Sequence, residues 1–129
     1  MTISVLMVDD EPDVEPLFRQ KFRREIRRSE IEFHFAQSGQ EALDLLLGEN
    51  APSVLLVLSD ISMPGMSGME LLTKVKLQRP TLPVIMITAY GDEKTEIEAK
   101  SKGADQLISK PVNFEHLKSA LVSYGMGAV

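Results

Sequence analysis

The sequence predicts an α/β protein in which five helices cover both faces of a doubly wound, five-stranded parallel sheet. Strand-like and helix-like segments alternate five times along the chain, which is the pattern of a parallel sheet with helical crossovers. Two of the strand-like segments, residues 54–58 and 84–88, consist almost entirely of apolar residues. Such runs are typical of strands that are buried on both faces.

The five predicted strands are short, and most of them lead directly into polar or turn residues. Residues 31–36 alternate apolar and polar side chains, as expected for a strand near a sheet edge. The apolar run of residues 54–58 leads to Asp60, and the Pro64-Gly65 pair that follows predicts a turn. The remaining strands are predicted at residues 3–8, 84–88 and 107–110.

The five predicted helices begin and end at residues with known capping preferences. The first helix covers residues 11–28 and carries an apolar stripe at three- and four-residue steps. Ser38 and Ser67 each precede a glutamate by three residues, which is the spacing of a capping box. The later helices are predicted from Ser38 to about residue 48, from Ser67 to residue 79, at residues 93–102 and at residues 113–124.

Length and composition favour a single intracellular domain. The chain has 129 residues and no cysteine, so it can bury an apolar core and has neither disulfides nor thiolate metal ligands. It shows no secretory signal and no apolar run long enough to span a membrane, and we expect a cytoplasmic protein. Residues 1–125 are the predicted domain, and residues 126–129 are a C-terminal tail or the start of a linker.

Charge is distributed unevenly along the chain. The net charge of −5 argues against a domain that binds nucleic acid through bulk electrostatics. Residues 19–28 nevertheless hold six of the fourteen Lys and Arg residues. Most charge-rich helix faces are simply solvated, and the alternative is a docking surface for an acidic partner or a kinase.

Polar side chains follow four of the predicted strands and converge at one edge of the sheet. Taken singly, each has an ordinary structural interpretation, such as a helix cap, a turn or a solvated strand end. Together, three carboxylates at one edge would repel one another unless a hard divalent cation such as Mg²⁺ neutralised them. A carboxylate beside such a cation can attack phosphorus, and a lysine and a threonine could hold the phosphoryl oxygens. The residues concerned are Asp9, Asp10, Asp60, Thr88 and Lys110.

The sequence resembles the receiver domains of two-component response regulators, the CheY-like family, from residue 3 to residue 124. The resemblance implies a flavodoxin-like fold with strand order 2-1-3-4-5. Its motifs are Val8-Asp9-Asp10-Glu11, Ser59-Asp60-Ile61-Ser62-Met63-Pro64-Gly65, Thr88-Ala89-Tyr90, Gly103-Ala104-Asp105 and Lys110-Pro111.

The resemblance implies a role for each residue of the site. Asp60 would be the phosphoacceptor for a histidine kinase or a phosphotransfer protein. Asp10 and Asp60 would bind Mg²⁺ directly, Asp9 would act through water, and the backbone carbonyl of Ser62 would complete the protein ligands. Two further residues, Thr88 and Lys110, would hold the phosphoryl oxygens, and the bond before Pro111 would be cis.

The same resemblance implies a conformational output. Phosphorylation would switch the face formed by residues 93–102 and 113–124, which an effector domain or protein would read, and it allows for a phosphorylation-dependent homodimer. The family's switch couples Thr88 to an aromatic residue on the fifth strand, but that position is Leu107 here. Tyr90 could take over part of this role or, together with Ser62, control the access of water to the phosphate. The alternative is an ordinary surface tyrosine, whose amphipathic ring suits a half-exposed position.

Three classes of function follow from these residues. The first, which we favour, is a signalling receiver that catalyses only its own phosphotransfer and dephosphorylation, without binding nucleic acid or membrane. The second is a hydrolase with an aspartyl-phosphate intermediate, but such phosphatases carry an acid where this chain has Ser62. The third is a partner-binding domain that is never phosphorylated, which a missing acid, threonine or lysine would have suggested.

Overall fold

The five-stranded parallel sheet predicted from the sequence is confirmed, with the strands in the order 2-1-3-4-5 when numbered along the chain. The structure is a computed structural model that describes residues 2–49, 51–89 and 91–128. The strands are β1 (Ile3–Val8), β2 (Ile31–Ala36), β3 (Leu56–Asp60), β4 (Val84–Thr88) and β5 (Gln106–Ser109). The helices are α1 (Val14–Lys21), α2 (Arg23–Arg27), α3 (Gly39–Leu47), α4 (Gly68–Gln78), α5 (Glu93–Ser101) and α6 (Phe114–Ser123).

The sheet separates two apolar layers, because successive side chains of a strand point to opposite faces. On β1, Ile3, Val5 and Met7 pack with α1, α2 and α6, while Leu6 and Val8 pack with α3, α4 and α5. The central strand β3 is buried along its whole length. This arrangement is the doubly wound fold that the alternation of segments predicts.

The prediction of one continuous first helix at residues 11–28 is wrong, because the chain forms α1 and α2 with Phe22 between them. Phe22 has φ −105° and ψ 15°, outside the helical range. Its side chain is fully buried, and its ring centroid lies 5.0 Å from that of Phe33 and 6.1 Å from that of Phe114. The helix is thus interrupted at a buried aromatic residue, which the helical periodicity of the sequence does not reveal.

The central strand begins two residues later than predicted. Leu55 donates its backbone N–H to the carbonyl of Ser4 but is 42% exposed, and β3 starts at Leu56. In both predicted capping boxes, the hydrogen bond that the serine side chain accepts is present. The Oγ atoms of Ser38 and Ser67 accept hydrogen bonds from the backbone N–H groups of Glu41 and Glu70.

The C-terminal segment packs against the sheet. Met126, which the sequence prediction places in the tail, is 5% exposed and lies in the layer formed by α1, α2 and α6. The domain boundary at residue 125 stays a prediction. Within the described ranges, no helix has the length and apolar character needed to cross a membrane.

Candidate functional site

Asp60 is the last residue of the buried central strand, and its side chain is almost completely enclosed. The residue is 5% exposed and is paired in register with Ile87 of β4. Its Oδ1 atom accepts a long hydrogen bond of 3.4 Å from the backbone N–H of Ser62. A carboxylate so deeply enclosed is unusual unless charge or hydrogen bonds compensate for its lost hydration.

Asp9 and Asp10 follow β1, which is the neighbour of β3 in the sheet. Asp9 is 5% exposed, and its Oδ1 atom accepts a hydrogen bond of 2.9 Å from the backbone N–H of Glu11. One carboxylate oxygen from each of Asp9, Asp10 and Asp60 lies within 4.8 Å of the other two. The structure thus brings together the three acids that the sequence places at one sheet edge.

Lys110 supplies a positive charge to this cluster. Its Nζ atom donates a hydrogen bond of 3.1 Å to Oδ2 of Asp60 and lies 3.9 Å from Oδ2 of Asp9. The peptide bond between Lys110 and Pro111 is cis, as the resemblance implies. The alternation of strand side chains explains why these groups meet, since Asp9 and Asp60 continue the positions of β1 and β3 that face α1 and α6.

Thr88 ends β4 on the other side of Asp60. It is 3% exposed, and its backbone carbonyl accepts a hydrogen bond of 2.7 Å from the N–H of Lys110. This contact extends the pairing of β4 with β5, in which Thr88 lies opposite Ser109. The backbone therefore fixes Thr88 and Lys110 at neighbouring positions beside the central strand.

The electrostatics of the site show an excess of negative charge. Burial raises the pKa of Asp9 above its ordinary value, the hydrogen bond from Glu11 opposes this, and the charges of Asp60 and Asp10 add to it. Burial lowers the pKa of Lys110, but its hydrogen bond to Asp60 and the nearby carboxylates outweigh this effect and raise the pKa overall. The shift of Lys110 reflects the neighbouring carboxylates, whereas that of Asp9 reflects first its burial and only then their charge.

Ser62 and Leu107, to which the resemblance assigns supporting roles, differ in how closely they approach the three acids and Lys110. Ser62 is exposed and touches Asp60 through its backbone N–H. Leu107 is half-buried and packs against the layer formed by α3, α4 and α5. Tyr90 lies outside the described residues, so its predicted role stays a prediction.

Sequence reasoning missed a groove beside the site. It has a volume of about 550 Å³, is mostly apolar, and lies between α1 and the start of α6. Asp9 and Lys110 form its polar end, and Phe18, Pro111 and Phe114 are among its apolar walls. Phe18 and Phe114 belong to the apolar stripes of different helices, and only tertiary packing brings them together.

Two further contacts were also missed, one beside the site and one at the amino end of β4. A Cβ atom on Gly68 would lie 2.1 Å from the carbonyl oxygen of Asp60, so α4 begins directly against the end of β3. Asp105, which the sequence offered only as part of a motif, accepts a hydrogen bond of 2.8 Å from the N–H of Val84 and one of 3.2 Å from Lys76. The serine and glycine before α4 were the available signal for the first contact.

A parallel sheet with three carboxylates and a lysine at its carboxyl edge is the arrangement expected of a receiver-type signalling domain. Comparison with known proteins supports the same class. The family model of the response regulator receiver domain matches residues 5–122. The chain belongs to this family and is the receiver domain of a two-component response regulator.

Curated relatives support the same assignment. The transcriptional regulatory protein SrrA of Staphylococcus aureus is 37% identical over 111 residues, which cover 86% of this chain and 43% of that protein. The chain therefore spans less than half of the length of the SrrA proteins that it matches.

Solved structures share the fold over nearly the whole chain. A response regulator receiver domain protein from Clostridium thermocellum has a TM-score of 0.82 and 30% identity, covering 95% of this chain and 93% of that one. The chemotaxis protein CheY4 of Vibrio cholerae has a TM-score of 0.81 and 26% identity, with coverages of 96% and 99%. The response regulator TrrA of Thermotoga maritima, solved in complex with Mg²⁺-BeF, has a TM-score of 0.76 and 30% identity, with coverages of 95% and 98%.

Proposed function

We propose that Asp60 accepts a phosphoryl group from the phosphohistidine of a histidine kinase or a phosphotransfer protein, in a reaction that depends on Mg²⁺. The observation that carries this proposal is the enclosure of Asp60 between Lys110, 3.1 Å away, and the carboxylates of Asp9 and Asp10. An enclosed carboxylate beside a cation is suited to attack an electrophile whose negative oxygens the cation can hold.

The residues present fit a magnesium ion. Two ligand oxygens on opposite sides of an octahedral Mg²⁺ ion are about 4.2 Å apart. One oxygen from each of the three carboxylates lies within 4.8 Å of the other two, close to that spacing. We propose Asp10, Asp60 and the backbone carbonyl of Ser62 as direct ligands and Asp9 as a ligand through water. The complex of the similar protein TrrA with Mg²⁺-BeF supports this choice of metal.

In the proposed reaction, an oxygen of Asp60 forms a bond to phosphorus while the bond between phosphorus and the histidine nitrogen breaks, and the nitrogen keeps the electron pair. Lys110 would follow the negative charge from the carboxylate to the phosphoryl oxygens, because its ammonium group carries three donors on a flexible stem. Thr88 would donate its hydroxyl to another phosphoryl oxygen. When bound, Mg²⁺ would offset the remaining negative charge of the acids and the phosphoryl group.

The product would act as a signal. The phosphoryl group of an aspartyl phosphate carries about 1.5 to 2 negative charges near neutral pH and replaces the single charge of the carboxylate, at a position next to β4 and the loop that precedes α5. We propose that this charge changes the face formed by α5, β5 and α6, and that an effector domain or protein reads the change, with phosphorylation-dependent homodimers as one form of output. Because this chain has Leu107 in place of an aromatic residue on the fifth strand, the coupling between Asp60 and this face would not depend on an aromatic ring.

We infer that the domain catalyses only its own phosphorylation and dephosphorylation and works in the cytoplasm. Ser62 has no carboxyl group with which to act as the second acid of a phosphatase. The absence of cysteine is consistent with a compartment in which disulfides are rare.

The proposal can be tested by incubating the protein with acetyl phosphate and Mg²⁺ and measuring its intact mass. We expect the mass of one phosphoryl group to be added, and we expect the adduct to be absent when Asp60 is replaced in Asp60→Asn or when Mg²⁺ is removed. Asp13→Asn is the matched control, because Asp13 is an exposed acid outside the cluster.

Three results would contradict this assignment. If the parent protein forms no adduct under conditions in which it binds Mg²⁺, the domain binds partners without being phosphorylated. If it releases phosphate continuously from unrelated phosphate esters, it is a hydrolase. An adduct that persists in Asp60→Asn would place the phosphoacceptor elsewhere.

A further inference from the structure

Five exposed cations form a basic patch at the end of α1 and along α2: Lys21, Arg23, Arg24, Arg27 and Arg28. Residues 19–28 contain six basic residues and one acid, Glu25, whereas the remainder of the chain contains eight basic and eighteen acidic residues. The patch is therefore a positive surface on a domain that is otherwise strongly negative.

Two carboxylates near the basic patch in the sequence, Glu15 and Glu25, are engaged with other cations. Arg19 is paired with Glu15 at 3.0 Å, and Lys118 of α6 is paired with Glu25 at 3.1 Å. Among residues 2–49, 51–89 and 91–128, no carboxylate forms an ion pair with any of the five patch residues. The side chain of Glu25 is only 16% exposed, because it turns toward Lys118.

The spacing of the patch makes its charges repel one another. Arg23 and Arg27, and likewise Arg24 and Arg28, are four residues apart, and Arg24 and Arg27 are three apart. Like charges at these helical spacings destabilise a helix. A ligand of opposite charge would reduce this repulsion in addition to forming its own contacts. The repulsion within the patch therefore favours the binding of an anion.

The basic patch is remote from the phosphorylation site. It precedes β2, at the amino end of the strands, whereas Asp60 and Asp9 lie at the carboxyl end. A strand rises about 3.3 Å per residue, so the six residues of β2 place the two regions roughly 15 to 20 Å apart. This separation exceeds the Debye length of about 8 Å at physiological ionic strength, and the patch therefore acts independently of the charge at Asp60.

The patch also has a shape that suits an extended ligand. An open groove of about 300 Å³ is lined by Gln20, Lys21, Arg23, Arg24 and Lys118, and so joins α1 and α2 to α6. Arginine presents a planar set of donors that can hold both oxygens of a carboxylate at once.

We propose that the basic patch binds an acidic, extended segment of a partner protein. A nucleic-acid duplex or a lipid surface would extend beyond the patch and bring its phosphates against the acidic remainder of the domain. The patch covers residues 21–28, and eight residues at helical rise span only about 12 Å, which a short run of carboxylates can cover without meeting that repulsion. This inference goes beyond phosphorylation at Asp60, and its test uses unphosphorylated protein.

The test is to titrate a fluorescent octaglutamate peptide into the parent protein and to measure anisotropy at low and at physiological ionic strength. We expect saturable binding that weakens with salt and that decreases at least about tenfold in Arg23→Glu/Arg24→Glu, because two charge-assisted contacts are replaced by repulsion. Lys94→Glu/Lys102→Glu is the matched control, since these lysines are exposed at α5 and change the net charge equally. Arg27→Gln/Arg28→Gln should weaken binding less.

The outcomes separate the possible ligands. The proposal fails if the peptide does not bind, if the control pair weakens binding as much as the patch pair, or if a short DNA duplex or phosphatidylserine vesicles bind more tightly than the peptide. Circular dichroism of each variant shows that it is folded. An unchanged rate of phosphorylation by acetyl phosphate in Arg23→Glu/Arg24→Glu would support the independence of the patch from the site.

Discussion

The Nζ atom of Lys110 lies 3.1 Å from Oδ2 of Asp60, and this hydrogen bond joins residues that are 50 positions apart in the chain. Asp60 is 5% exposed, whereas the side chain of Lys110 is 36% exposed. The lysine thus reaches in from the solvent side to a carboxylate that is fixed in the core. This geometry lets the cation shift its contacts during a reaction while the carboxylate stays in place.

Replacing this cation should destabilise the protein in the absence of Mg²⁺. Lys110→Met leaves Asp60 and Asp9 facing each other without the ammonium group, and we expect the free energy of unfolding to fall by about 1 to 2 kcal/mol, since solvent screens part of the interaction. Urea denaturation measures this change. Lys102→Met, which removes an exposed lysine, should change stability by less than about 0.5 kcal/mol. Equal effects of the two substitutions would show that the contact between Lys110 and Asp60 contributes nothing.

Neutralising Asp9 should have the opposite effect on stability. Burial raises the pKa of Asp9 above its ordinary value of 3.8, so its ionised form disfavours folding. Asp9→Asn should therefore raise the melting temperature at neutral pH in the absence of divalent ions. Adding Mg²⁺ should raise the melting temperature of the parent protein more than that of the variant, because the variant lacks one of the three acids.

The pH dependence of this difference follows from the direction of the shift. A raised pKa means that the folded state binds a proton more readily than the unfolded state, so the penalty from Asp9 is present at neutral pH and disappears as the pH falls through the raised value. The gain in Asp9→Asn should shrink in acid and be absent below about pH 3.8. A gain that is independent of pH would contradict an origin in the Asp9 charge.

The contact of Gly68 with the end of β3 should not tolerate a side chain. In Gly68→Ala, the new Cβ atom would lie 2.1 Å from the carbonyl oxygen of Asp60 and 2.7 Å from Cα of Ile61, which are backbone atoms that cannot move alone. We expect a loss of about 3 kcal/mol or more in the free energy of unfolding, together with slower phosphorylation.

Gly39→Ala is a closely matched control for this substitution. Gly39 and Gly68 are each the first residue of a helix that follows a serine cap. The three atoms nearest to a Cβ atom on Gly39 all belong to the side chain of Met66, whose Sδ and Cγ atoms can move by rotation, so we expect a smaller loss. A loss in Gly39→Ala as large as that in Gly68→Ala would mean that helix-start geometry, and not the contact with Asp60, requires glycine.

Asp105 should contribute to stability through a hydrogen bond to the backbone. Its Oδ2 atom accepts from the N–H of Val84 at the start of β4, so Asp105→Ala leaves that donor without its acceptor and should cost about 1 to 2 kcal/mol. Asp105→Asn keeps an acceptor oxygen and removes only the charge that Lys76 contacts, so it should cost less. Thermal denaturation of both variants separates the two contributions, and equal losses would assign the effect to the charge.

The sequence predicted the parts of the fold that depend on local patterns. The buried central strand ending at Asp60, the two serine caps and the edge strand β2 all follow from apolar periodicity and from residue preferences at turns. The break at Phe22 did not follow, because the apolar stripe continues through Phe22 at helical spacing. The groove beside Lys110 and the contact of Gly68 with Asp60 could not be predicted, since each joins segments that are distant in the chain.

The sequence by itself determined that acids, a threonine and a lysine follow four parallel strands, and hence that they lie at one edge of the sheet. This follows because parallel strands joined by right-handed crossovers can be arranged in only a few ways, and in each of them the carboxyl ends share one edge. Only the tertiary structure decided that Asp60 is enclosed, that Lys110 reaches it at 3.1 Å, and that α4 begins against its backbone. Burial and distance depend on how separate elements pack, and a sequence pattern read along one element does not contain that information.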